Sequence, residues 1–375
     1  MRWENLREST TSVEQTALFD HTPAPPPRGT GRAGLRTAGP GPVRAGGDGE
    51  PVAIEVRARS IINRVPGESP LFRWSLNPYR GCSHACVYCF ARRTHEYLDL
   101  DSGHDFDTRI VVKVNAGSLL RAELARPSWR GEHIAMGTNT DPYQRAEGRY
   151  RLMPQIIAAL RDAANPFSIL TKGTLVLRDL DLLEQAARVT DVGMAVSVGS
   201  VDEAVWRTVE PGTPGPRARL DAVRRLTERG LECSVLMAPI LPGLTDSAER
   251  IEETVAAIAA AGAVRVTPVV LHLRPGAREW YRAWLTREHP RLLPLYRRLY
   301  GRGSYAPESY RGIVTEAVRE IAGRHGLNRP GSARRAPDAA PDAAAGRRPE
   351  QLALGFPGEG PRPGRAGTSR QTRAG

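Results

Sequence analysis

Short apolar runs alternate with amphipathic stretches through the middle of the chain. The runs cover residues 134–137, 167–170, 193–198, 231–238 and 264–271. Between them, residues 153–164, 181–189, 217–229 and 247–261 carry apolar side chains at helical spacing. Residues 110–114 read as a further strand, placed before a helix over 118–126. Pro154 falls near a helix start, where its missing N–H costs little. Such alternation predicts parallel strands joined by helical crossovers, as an α/β barrel or an open doubly wound sheet. About six strand–helix units are too few to close eight strands. The expected fold is a partial (β/α)6 barrel.

The strand ends sharpen this picture. The run at 134–137 leads into Thr138, Asn139, Thr140, Asp141, Pro142, Tyr143 and Gln144. The run at 167–170 leads into Thr171, Lys172 and Gly173, and that at 193–198 brings Ser197 and Ser200 to its end. The last run ends in His272, Leu273 and Arg274. One strand ending in a polar turn means little. Four together predict a shared mouth, because parallel barrels carry their reacting groups at the C-terminal ends of strands.

Composition sets the limits. Of 375 residues, 40% are hydrophobic, enough for a sizeable core. No apolar run reaches the roughly 20 residues that span a bilayer. Met1 is followed by Arg2, Trp3 and Glu4 rather than an apolar segment, so no signal peptide and a cytoplasmic address are expected. Residues 1–50 and 328–375 are rich in Pro, Gly and Arg and are expected to be largely disordered, which leaves 51–327 as the folded core. The net charge is +12. Six arginines balance six acids over 1–50, whereas nine arginines face four acids over 328–375, so much of the excess stays in the core. That excess suits a polyanionic substrate without specifying one. Lys113 and Lys172 are the only lysines.

Three of the four cysteines, Cys82, Cys86 and Cys89, lie within eight residues in a C-x3-C-x2-C pattern. Three thiolates hold a [4Fe-4S] cubane with one iron left open to another ligand. A zinc site is the alternative, completed by His84 or Cys233, and would make the loop a non-catalytic interaction module. Against it, no second Cys pair exists, and His84 stands only two residues from each flanking cysteine. Cys233, near the start of its strand, reads as a small buried hydrophobe.

With Tyr88 just before the last cysteine, this loop resembles the hallmark of the radical S-adenosylmethionine (SAM) superfamily. The longer stretch from Asn77, Pro78, Tyr79, Arg80 and Gly81 through Phe90, Ala91 and Arg92 resembles the branch related to spore photoproduct lyase. The segments Thr138–Gln144 and Thr171–Gly173 belong to the same resemblance, which covers most of residues 65–275. It implies that Cys82, Cys86 and Cys89 ligate a [4Fe-4S] cluster whose open iron chelates SAM. Tyr88 would lie near the adenine. Gly137, Thr138, Asn139 and Asp141 would occupy the segment that binds the SAM amino group, with Lys172 at the carboxylate and Ser197 at the ribose. A reduced cluster would cleave SAM to methionine and a 5′-deoxyadenosyl radical that abstracts hydrogen from the substrate. An electron donor such as flavodoxin or ferredoxin, and nucleic acid as the first substrate class, follow from the same resemblance.

One departure limits what is inherited. Spore photoproduct lyase carries a cysteine where Thr138 stands, and a hydroxyl is a poor hydrogen-atom donor. The repair reaction is therefore not carried over with the cofactors. Trp280, Tyr281 and Trp284, interleaved with Arg278 and Arg282, could stack bases, but their helical spacing favours a core stripe. His95 reads as a satisfied helix histidine rather than a pocket residue, and His133 and His289 have no evident chemical partners.

Overall fold

The apolar runs pair side by side, as buried strands must to satisfy their backbone groups. The computed structural model describes residues 8–9, 51–65 and 72–327. Apart from 8–9, the expected disorder of 1–50 and 328–375 lies outside the described residues. The strands are β1 (Glu8–Ser9), β2 (Val52–Val56), β3 (Ile62–Arg64), β4 (Trp74–Leu76), β5 (Tyr79–Arg80), β6 (Arg109–Lys113), β7 (Ile134–Met136), β8 (Phe167–Thr171), β9 (Val192–Ser197), β10 (Cys233–Ile240) and β11 (Arg265–Val270). One sheet has the order β11-β10-β9-β8-β7-β4-β3. Every neighbouring pair from β4 to β11 is parallel, and β3 alone runs antiparallel, against β4. The six parallel strands form the partial barrel.

The number of barrel strands agrees with the sequence, but the membership differs. Residues 110–114 do form a strand, yet β6 belongs to a second sheet of order β1-β2-β6-β5. It pairs in parallel with β2 and antiparallel with β5. The first barrel strand is β4, whose Trp-Ser-Leu is too short to show a period. Strand length, not hydrophobicity, hid it.

The helices are α1 (His104–Thr108), α2 (Ala116–Leu124), α3 (Arg145–Tyr150), α4 (Leu152–Asp162), α5 (Leu180–Ala187), α6 (Glu203–Val209), α7 (Pro216–Glu228), α8 (Ala248–Ala260), α9 (Ala277–Glu288), α10 (Leu293–Tyr300) and α11 (Glu308–Arg324). Local chemistry explains their starts. Ser247 Oγ accepts the Arg250 amide at 3.3 Å to cap α8, and Asp202 Oδ1 accepts two amides to cap α6. Pro216 opens α7. The Glu147 carboxylate, in α3, receives the Leu152 and Met153 amides at 3.0 and 3.1 Å and so caps the start of α4 from the preceding helix.

One contiguous core joins one face of the barrel sheet, with Phe167, Ile169, Met194, Val196, Val235 and Met237, to α4, α5, α7 and α8. Helices α9 to α11 extend it, with Tyr281, Trp284, Tyr296 and Tyr300 buried together. Tyr281 and Trp284 thus sit in a packed stripe, not on a stacking surface. Among the described residues no helix is long and apolar enough to cross a membrane.

Candidate functional site

The three cysteines follow β5 in a loop of consecutive tight turns. The Ala85 amide bonds the Cys82 carbonyl and the Cys89 amide the Cys86 carbonyl, each at 3.2 Å, and Ala85 adopts a φ of 53°. All three thiols are free. Burial pushes all three up, and at Cys82 the charges of Asp141, Cys86 and Cys89 raise it further. The thiols therefore sit close enough to influence one another. Buried in this way they stay protonated unless a cationic group replaces the protons, which is what thiolate ligation does.

The surroundings favour a cluster over a single ion. His84 Nδ1 lies 3.4 Å from Asp141 Oδ2, and Cys233 is fully buried at the start of β10. Neither candidate fourth zinc ligand is turned to that task. A cubane spreads its thiolates over separate corners and needs no fourth protein ligand. The residues present fit it.

The segment after β7 is bound to the cysteine loop. Asn77, just beyond β4, donates from Nδ2 to Thr138 Oγ1 at 3.0 Å, and its Oδ1 accepts the Asn139 amide at 3.2 Å. Thr140 Oγ1 donates to the Gly81 carbonyl at 2.7 Å. Gln144, fully buried, accepts the Ser83 amide at 3.0 Å and donates to the Gly81 carbonyl at 3.0 Å. Gly137 is placed by necessity: its φ is +87°, and an added Cβ would lie 2.0 Å from the Leu170 carbonyl oxygen. Gly137→Ala should destabilise the protein by about 3 kcal/mol, from the left-handed backbone and the clash combined. Urea unfolding checks this, and an effect below about 1 kcal/mol would contradict the stated contact.

Asp141 is the hub. Its Oδ1 accepts the Tyr143 amide at 2.9 Å and Thr171 Oγ1 at 2.5 Å, and its Oδ2 accepts the Lys172 amide at 2.6 Å. Burial raises its carboxyl, but His84 and these donors outweigh it and hold the group below its usual range. Asp141 is thus a fixed anion joining the ends of β7 and β8 to the cysteine loop.

Lys172 reaches across to the next strand. Its Nζ donates to Ser197 Oγ at 2.5 Å and lies 3.8 Å from Glu210 Oε1, with the Tyr88 ring centroid 5.9 Å away. Glu210 also accepts from Tyr88 Oη and, at 2.5 Å, from Arg219 Nη2. Burial again opposes the Glu210 charge, and Arg219 and Lys172 together restore it, leaving the carboxyl below its usual range. Tyr88 goes the other way, pushed up by burial and by Glu210. A small cleft opens beside this group, lined by Tyr88, Ser200, Trp206, Glu210, Arg219 and Leu241 among others. On the cluster side, Phe90 packs against His272 at the end of β11, which packs against Tyr305.

The cysteine loop after β5 and Gly137, Thr138, Asn139, Asp141, Lys172 and Ser197 at the C-terminal ends of β7, β8 and β9 are thus linked in one group, whereas His133 and Cys233 lie at strand starts. Several partners were missed. Glu210 follows α6 in a Gly- and Pro-rich turn, and an added Cβ at Gly212 would meet the Ser83 carbonyl oxygen at 2.1 Å. That turn carried a readable signal. Arg219, only 1% exposed, looks like any polar position of an arginine-rich helix. Lys113 is buried, donates to the Asn77 carbonyl at 2.9 Å, and is lowered by burial and Arg80 to about 7. The unfolded chain holds that proton to ordinary lysine values, so Lys113 should add stability as pH rises from about 7 towards 10. Unfolding measured across that range should show the rise relative to Lys113→Met, and identical slopes would refute it.

Comparison with known proteins identifies the family. Residues 76–261 match the model of the radical SAM superfamily. The chain belongs to that superfamily of enzymes, whose cofactors are a [4Fe-4S] cluster and S-adenosylmethionine. It is 54% identical over 274 residues to the uncharacterized protein Rv2578c of Mycobacterium tuberculosis (strain ATCC 25618 / H37Rv), covering 73% of this chain and 81% of that one. It is 30% identical over 201 residues to the uncharacterized protein MJ0683 of Methanocaldococcus jannaschii, covering 54% and 72%. Its fold is similar to that of a spore photoproduct lyase variant with bound AdoMet and dinucleoside spore photoproduct, with a TM-score of 0.57, 15% identity and coverage of 74% and 81%.

Proposed function

We propose that this enzyme reductively cleaves SAM at a cluster held by Cys82, Cys86 and Cys89, and uses the resulting radical to take hydrogen from a substrate. The observation that carries this reading is the meeting of the three-thiol loop and Lys172 at one end of the sheet, linked through Asp141 and Glu210. When bound, the cluster and SAM supply the electron transfer and the 5′-deoxyadenosyl radical. The chain supplies the rest. Lys172, a compact cation, receives the SAM carboxylate, and Ser197 beside it serves the ribose. The 137–141 segment, fixed by Asn77 and Asp141, presents its backbone to the amino group. Tyr88, just before the last cluster cysteine, lies beside the adenine. An external donor such as flavodoxin or ferredoxin provides the electron.

Nucleic acid is the substrate class to test first, given the basic core and the likeness to a lyase bound to a dinucleoside. Thr138 is engaged with Asn77 and offers no thiol hydrogen, so spore photoproduct repair is not part of the proposal. Anaerobic reconstitution with iron and sulfide should give a brown protein holding about four irons per chain, the content of one cubane. Stoichiometric zinc without iron would overturn the reading. A substrate is then recognised by accelerating SAM cleavage and exchanging deuterium with 5′-deoxyadenosine. Salt-sensitive binding to DNA or RNA is the faster screen, and its absence would exclude the nucleic-acid class.

A further inference from the structure

Arg92 begins as one arginine among many and ends fully buried, three residues beyond Cys89. Its Nε and Nη2 donate to the Cys86 carbonyl at 3.2 and 3.0 Å, and its own amide to the Cys89 carbonyl at 3.4 Å. Nη1 donates to the Gly103 carbonyl at 2.8 Å, while Nη2 also contacts both Asp107 carboxylate oxygens at 2.9 Å. The Phe106 and Trp280 rings lie 5.2 and 4.8 Å from the guanidinium carbon. Water is excluded, so this charge is poorly screened. The cation is thus bound on one hand to the Cys86 carbonyl and on the other to the carboxylate of Asp107 in α1.

We propose that the fully buried Arg92 and its partly exposed partner Asp107 form an oriented ion pair that sets the reduction potential of the cluster at Cys82, Cys86 and Cys89. The inference rests on the cluster reading above. Reduction adds one electron, delivered by an external reductant, and hence one negative charge to the cluster. A fixed cation against the cysteine backbone stabilises the reduced form, and the carboxylate bound to that cation limits the effect. Groups surrounding the ligands, as much as the ligands, tune such centres. A mere brace for the loop behaves differently: weakening it lowers cluster content but gives no opposed shifts in potential.

Wild type, Arg92→Gln and Asp107→Asn are reconstituted, their iron and sulfide counted, and each cluster titrated anaerobically against potential by electron paramagnetic resonance. Arg92→Gln should move the midpoint to more negative values and Asp107→Asn to more positive ones. The expected size is about a tenfold change in the reduction equilibrium each way, or about 59 mV for one electron. Shifts in the same direction, or none, overturn the inference. If Arg92→Gln loads no cluster, Asp107→Asn decides alone, because it leaves the Arg92 bonds to Cys86 in place. A positive shift then supports the proposal, and a negative or absent one refutes it. A wild type without iron would overturn the cluster reading itself, a failure visible before any potential is measured.

Discussion

Cys86→Ala should bind no cluster and form no 5′-deoxyadenosine, yet remain folded. Two thiolates cannot hold a cubane that three barely suffice to anchor, so iron and sulfide content should fall to background. The fold should survive for a structural reason. The Cys86 carbonyl, not its thiol, receives Arg92 and the Cys89 amide, and both bonds persist in the variant. The lost sulfur removes roughly one methylene equivalent of burial, or about 1 kcal/mol. Iron analysis, product analysis and urea unfolding on the same preparation check this. SAM cleavage retained in the variant would end the assignment of the loop.

Lys172→Ala should leave the cluster intact and weaken SAM binding about thirtyfold or more. A carboxylate held away from water loses about 2 kcal/mol or more when its cation is removed. The side effects should be small, because Glu210 keeps Arg219 and Tyr88 as partners, and the Lys172 amide still bonds Asp141. Lys172→Arg should restore little: a planar fork does not replace a compact ammonium between Ser197 and Glu210. Equilibrium binding of SAM to the reconstituted proteins is the measurement. Unchanged affinity with full iron content would return Lys172 to an ordinary turn residue.

Sequence and structure meet most closely where apolar runs are long. Five barrel strands, and the helices between them, stand where periodicity puts them, to within a few residues. The sixth, β4, has three residues and no period, while the more apolar β6 was drawn into a second sheet by β2 and β5. Pairing partners decide that, and local pattern cannot show them. The site follows the same rule. Cysteine spacing and strand-end residues were legible because they are contiguous in sequence. The Gly- and Pro-rich turn at Glu210 and the family-like stretch ending at Arg92 marked places, but the roles of Glu210, Arg219 and Arg92 were not legible, because each acts through a contact made only on folding. Glu210 meets Tyr88 across 122 positions of chain. Arg219 is hidden among 53 basic residues, and only its burial distinguishes it.

The central claim is that this loop and mouth together cleave SAM by one-electron reduction. Its most direct test is to reconstitute the protein anaerobically, reduce it, add SAM and quantify 5′-deoxyadenosine and methionine. Both products should form in equal amounts, dependent on reductant and absent from Cys86→Ala. A fully iron-loaded, reduced protein that binds SAM and forms neither product would contradict it.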